Sequence, residues 1–212
     1  MKKLGIGFLS VAICLILTLI GILAVNGTGF VLGAMGDFQP YDYDSKIAKE
    51  YDWIGPKKGE IIDSKNLVNT DGVSLSQIPK SNLLVLTVVD PTCGACRLTQ
   101  EQFSYLNERL TEDGMDYLIV SFSPKVSPAT LSTYVKLLNI PSRSFAWSSD
   151  LESVLPSLRT IAYPSHILID SSGTVIKTFP GTNGDRRIRD RMVRQVVNEV
   201  TAERDRRNAE FK

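Results

Sequence analysis

A short apolar run at residues 83–89 (LLVLTVV) passes through Asp90-Pro91-Thr92 into Cys93-Gly94-Ala95-Cys96, and an amphipathic stretch follows at once. The run is rich in β-branched residues, which predicts a strand buried on both faces. Ala95, Leu98, Phe103, Leu106 and Leu110 then recur at helical spacing, and Asp113-Gly114 ends the pattern. The two cysteines therefore stand where a buried strand gives way to a helix. A helix N-terminus carries partial positive charge and free N–H groups, so a thiolate at Cys93 is stabilised there. Cys96, nearly one helical turn further on, lies on the same side and is better shielded. An exposed attacking thiol beside a protected resolving thiol is what thiol–disulfide exchange requires.

Other uses of such a pair fit less well. A structural zinc takes about four ligands. Beyond the first apolar segment the only soft ligands are Cys93, Cys96 and His166. No metal site is expected. A purely stabilising disulfide is a poor explanation, because closing so short a loop removes little chain entropy. Lys+Arg 24 against Asp+Glu 23 leaves a net charge of +1, which argues against a polyanion-binding surface. Acidic residues interrupt the arginines near the C-terminus, so these read as the wet face of a packed helix and no nucleic-acid partner is expected.

After Lys3 the next charge is Asp37, and residues 4–25 are uncharged and mostly Leu, Ile, Val, Ala and Gly. As a helix, about 22 residues reach roughly 33 Å, enough for a bilayer core of about 30 Å. Residues 1–25 are therefore expected to be a cytoplasmic start and an uncleaved signal-anchor. Lys2 and Lys3 keep the N-terminus in the cytoplasm. The expected location is the inner membrane, crossed once, with the C-terminal domain on the periplasmic or extracellular side. The lipid bilayer is then a partner, and disulfides can form around the domain. Residues 26–45, with Gly27, Gly29, Gly33, Gly36 and Pro40, read as a tether. Residues 46–212 are expected to fold.

Within that part, Asp71-Gly72 predicts a tight turn between residues 67–68 and 73–75. A second strand is expected at 117–122. Ser127 and Pro128 open a helix with Leu131, Tyr134, Val135 and Leu138 on one face. A short helix is expected near 151–158. SHILID (165–170) and TVIKTF (174–179) form a hairpin around Ser171-Ser172-Gly173. The last helix spans about 186–204, with Ile188, Met192, Val196 and Val200 on one face and Val193 and Val197 beside them. This order predicts an α/β fold, a mixed sheet flanked by helices.

With these landmarks in place, residues 55–200 resemble the thioredoxin fold, and within it the membrane-anchored TlpA/ResA-like thiol–disulfide oxidoreductases. The resemblance rests on NLVNTDGVSLSQI, CGACR and YPSHILIDSSGTVIKTFPG. It implies a redox-active Cys93–Cys96 pair, no dissociable cofactor, and a cis-proline opposite the pair, for which Pro164 is the matching position. Tyr163 and Pro164 would border the substrate groove. Implied partners are client protein disulfides and an upstream thiol-reducing membrane protein; cytochrome c biogenesis is a frequent setting. The chain departs from the pattern in two places. Thr92 stands where a Trp usually precedes the first cysteine, and Thr87 stands where many thioredoxins bury an acid. Asp90 and Glu101 are the carboxylates left as candidates for proton transfer. His166 reads as a strand-face residue.

Three competing functions follow from the same fold. A thiol peroxidase of the peroxiredoxin type would have Thr where Asp90 stands. A copper-delivery protein would carry CxxxC and a distant His. A docking module would hold an inert disulfide.

Overall fold

The computed structural model describes residues 55–78, 82–148, 158, 161–181 and 186–210. Its six strands are β1 (Leu67–Val68), β2 (Leu83–Val88), β3 (Asp116–Ser121), β4 (Arg143–Trp147), β5 (Ser165–Asp170) and β6 (Val175–Pro180). Its helices are α1 (Gly94–Leu98), α2 (Gln100–Glu112), α3 (Pro128–Leu137) and α4 (Arg186–Glu210). The sheet runs β1-β4-β3-β2-β5-β6. β2, β3 and β4 are mutually parallel, while β1, β5 and β6 pair antiparallel with their neighbours. It is the mixed sheet flanked by helices that the element order predicts.

Every residue of β2 is buried, as its unbroken apolar run requires. Its side chains alternate between two cores. Leu83, Val85 and Val89 join Phe103, Leu106 and Leu110 of α2, Leu131 and Val135 of α3, and Met192, Val196 and Val200 of α4. Leu84, Leu86 and Val88 join Ile62, Leu67, Leu75, Phe145 and Trp147. Thus the crossovers β2–α2–β3 and β3–α3–β4 bring their helices into one core, as right-handed crossovers running the same way across a sheet do. The other core is closed by the segment before β2, with its 3-10 turns at Ser64–Asn66 and Leu75–Gln77.

Five details differ from the sequence expectations. The strand after Asp71-Gly72 is reduced to one bridge, Val68 to Ser74. Ser74 instead caps the Leu75–Gln77 turn, trading hydrogen bonds with Gln77 in a capping box. β4 was not foreseen: it is short, begins at an exposed Arg143 and lacks a clean alternation. The helix after the cysteines is two helices. Thr99 is buried and its hydroxyl donates to the carbonyls of Ala95 and Cys96 at 3.0 and 3.1 Å, a back-bond that interrupts the helix. The break turns Leu98 out to 61% exposure, whereas Phe103 onward stay in the core. α4 continues to Glu210, because Arg206 and Arg207 pair with Glu203 one turn back and nothing in between stops a helix. Its apolar stripe starts at Met192, leaving Ile188 at the surface.

Ser127 caps α3 as expected, accepting from Thr130 N–H at 3.1 Å. The helix expected near 151–158, apart from Leu158, and the expected anchor and tether within 1–54 lie outside the described residues. No helix among the described residues is long and apolar enough to cross a membrane.

Candidate active site

Asp90 shapes the loop that leaves β2. Its carboxylate accepts from the Thr92 N–H at 2.8 Å and the Thr92 hydroxyl at 2.6 Å, and its carbonyl accepts from Cys93 N–H at 2.9 Å. This tight Asx turn delivers Cys93 to the cap position of α1 in an extended conformation. The Cys93 side chain makes no capping bond. Its sulfur instead faces another part of the chain and donates to the carbonyl oxygen of Tyr163 at 3.6 Å. Tyr163-Pro164 is a cis peptide bond. The candidates Cys93, Cys96, Tyr163 and Pro164 are thus gathered at one end of β2 and β5.

Both cysteines are thiols; Cys93 is half-buried and Cys96 is buried. Burial pushes the Cys96 thiol up, the Asp90 backbone pulls it down, and the neighbouring Cys93 adds to the rise. Cys96 is therefore held protonated until its surroundings change. Tyr163 is pushed up to about 12 by burial, with the charges of Asp90, Cys96 and Cys93 acting in the same direction.

The two carboxylates separate. Asp90 lies within electrostatic reach of Cys96, Tyr134 and Tyr163. Glu101 is paired with Arg186 at 2.6 Å, both at the surface. His166 lies on β5 directly opposite Thr87, and its Nδ1 is 2.9 Å from the Thr87 hydroxyl. The ring is fully buried against the edge of Phe103, and burial lowers it to about 4, so it is neutral at pH 7. It is a strand-face residue, as its position in SHILID predicts. No group of three metal-ligating side chains occurs among the described residues.

Sequence reasoning treated Tyr134 as a core position only. Its hydroxyl is buried without a hydrogen-bond partner among the described residues. Burial pushes its pKa up, followed by the charges of Cys96 and Cys93. A tyrosine at helical spacing carries no signal of that proximity, which depends on how α3 packs beside α1.

No protein-family model matches the chain, and no curated protein matches its sequence. Solved structures do resemble it. A thiol:disulfide interchange protein from Bacteroides sp. is 16% identical with a TM-score of 0.51, over 68% of this chain and 91% of that one. The thioredoxin domain of a thiol-disulfide oxidoreductase from Bacteroides vulgatus is 17% identical with a TM-score of 0.52, over 69% and 99%. The likeness establishes the class of fold: the chain has a thioredoxin-like α/β domain.

Proposed function

We propose that this chain is a membrane-anchored thiol–disulfide oxidoreductase acting on disulfides of exoplasmic or periplasmic proteins. One observation carries the reading: Cys93 is half-buried with its sulfur against the Tyr163 carbonyl, while Cys96 is buried one turn into the helix. The descriptions of the two solved structures, an interchange protein and an oxidoreductase, support it.

The Cys93 thiolate attacks one sulfur of the client disulfide, and the other client sulfur leaves as a thiolate. Cys96 then gives up its proton to solvent and attacks the Cys93 sulfur. The second client thiolate departs, and a Cys93–Cys96 disulfide remains. Two electrons have passed to the client. An upstream thiol-reducing membrane protein restores the dithiol, and no dissociable cofactor takes part. Tyr163 and Pro164 border the client groove. Asp90, whose charge acts on Cys96, assists the passage of that proton to solvent; Glu101 serves only if it leaves Arg186. Residues 4–25 anchor the chain in the inner membrane and 26–45 hold the domain on the outer side.

The reduction potential of the pair tests the reading and its direction. A value near about −270 mV fits a reductase and one near about −120 mV an oxidant. A pair that does not equilibrate with a thiol–disulfide buffer contradicts the proposal.

A further inference from the structure

Beside the cysteine pair, an open groove of about 480 Å³ runs between the active-site loop and α3. Pro91 and Arg97 form one wall; Thr130, Thr133, Tyr134 and Leu137 form the other. Two features make it unlike an ordinary surface crease. First, a large apolar side chain stands at it without cover: Leu137 is 79% exposed. The Gln100 side chain donates to the Leu138 carbonyl and pins the end of α3, which carries Leu137, against the start of α2.

Second, Arg97 is the one charged residue lining the groove, and it has neither an ion pair nor a hydrogen bond among the described residues. The nearby carboxylates are already engaged: Asp90 by Thr92 and Glu101 by Arg186. An unpaired guanidinium beside apolar surface is complementary to a carboxylate next to an apolar side chain.

We propose that this groove receives the client segment flanking its cysteine, and that it selects clients carrying an acidic residue on Arg97 and an apolar side chain against Tyr134 and Leu137. The inference rests on the exchange activity proposed above and names the class of client.

The test uses the full chain and two synthetic cysteine peptides, Leu-Glu-Cys and Leu-Lys-Cys. Each peptide is linked through a disulfide to the coloured thiol 5-thio-2-nitrobenzoate. Cys93 attacks the peptide sulfur, a Cys93–peptide disulfide forms, and the nitrobenzoate leaves as a coloured thiolate. Cys96 then displaces the peptide thiolate, giving up its proton to solvent. The glutamate peptide should react about two- to fivefold faster than the lysine peptide, the range of an exposed charge pair, and added salt should erase the difference. Arg97→Glu should invert the order, and Leu137→Ser should slow both peptides alike. A neutral alkylating agent measures how Arg97→Glu alters Cys93 itself, and the glutamate-to-lysine rate ratio within each chain cancels that change; the ratio should invert.

Equal rates for the two peptides in the unmodified chain would overturn the proposal. So would an Arg97→Glu variant that slows both peptides to the same degree, since Arg97 would then act on the thiol and not on the client. Rates that fall as the protein concentration rises would mean that a second copy covers the groove, which also contradicts it. If neither peptide reacts, the exchange activity itself is refuted, a different failure from exchange without discrimination.

Discussion

The thiol of Cys93 donates a hydrogen bond of 3.6 Å to the carbonyl oxygen of Tyr163, seventy residues along the chain. The contact ties the cap residue of α1 to the loop that enters β5. The Tyr163 carbonyl thus marks the position of the Cys93 sulfur. Its position depends on the loop entering β5, and that loop depends on what packs behind it.

Gly181 is what packs behind it. A Cβ at that position would lie 1.5 Å from the Pro164 oxygen, an overlap that only backbone movement relieves. Gly181→Ala is expected to push the Pro164 loop away from Cys93 and cost about 1–3 kcal/mol of stability, the usual penalty of forced overpacking. Exchange rate should fall further than stability does. Denaturant unfolding and a disulfide-reduction assay on the same samples measure both; wild-type exchange in the variant would mean the loop position is irrelevant.

The buried His166 makes stability depend on pH. Its folded value is about 4 against an ordinary 6.5, so the unfolded chain binds the proton more readily and stability is lost as pH falls through that window. Between pH 7 and pH 5 the loss attributable to this group should be about 2 kcal/mol. Above pH 7 it contributes no further change. Unfolding free energies of the unmodified chain and of His166→Gln, compared across pH 5–7.5, isolate it; parallel curves would show that the ring is not buried neutral.

Tyr134 carries a buried hydroxyl with no partner among the described residues, which ordinarily costs stability. Tyr134→Phe removes only that oxygen and is expected to leave the fold as stable or to raise stability by about 1 kcal/mol. A drop of comparable size in a melting experiment would show that the hydroxyl has a partner after all.

The orientation of the chain has its own expected outcome. An enzyme reporter joined after Lys212 should be active outside the cytoplasm, given Lys2 and Lys3 before the uncharged segment 4–25. Activity on the cytoplasmic side would place the cysteine pair in a reducing compartment and remove the proposed clients.

Much of the domain was legible in the sequence because burial wrote it there. Residues 83–89 had to be a central strand, since an unbroken apolar run needs cover on both faces. Ser127-Pro128 and Asp113-Gly114 marked helix ends through their own backbone chemistry. The break at Thr99 was not legible. Threonine is a common helix resident, and only its burial turns the hydroxyl back onto the Ala95 and Cys96 carbonyls. β4 was hidden for a related reason: it pairs with β1 and β3, strands distant in sequence, and its own five residues carry little pattern. At the candidate site, the placing of Cys93 and Cys96 between a buried strand and a helix was readable, because both elements write their own pattern on either side of the pair. The proximity of Tyr134 to the pair and to Arg97 arises from how α3 sits beside the active-site loop, which no local sequence window contains.

The central claim is the division of labour between the two cysteines, and kinetic trapping tests it most directly. Cys96→Ser keeps the attacking sulfur and removes the resolving one, while Cys93→Ser does the reverse; Cys14 is replaced in both. With a disulfide-containing client, the Cys96→Ser chain should accumulate a mixed disulfide, seen as a larger band on a non-reducing gel that disappears with reductant. The Cys93→Ser chain should trap almost nothing, because its remaining thiol is buried and burial holds it protonated. Equal trapping by both variants, or trapping by the Cys93→Ser chain alone, would contradict the account.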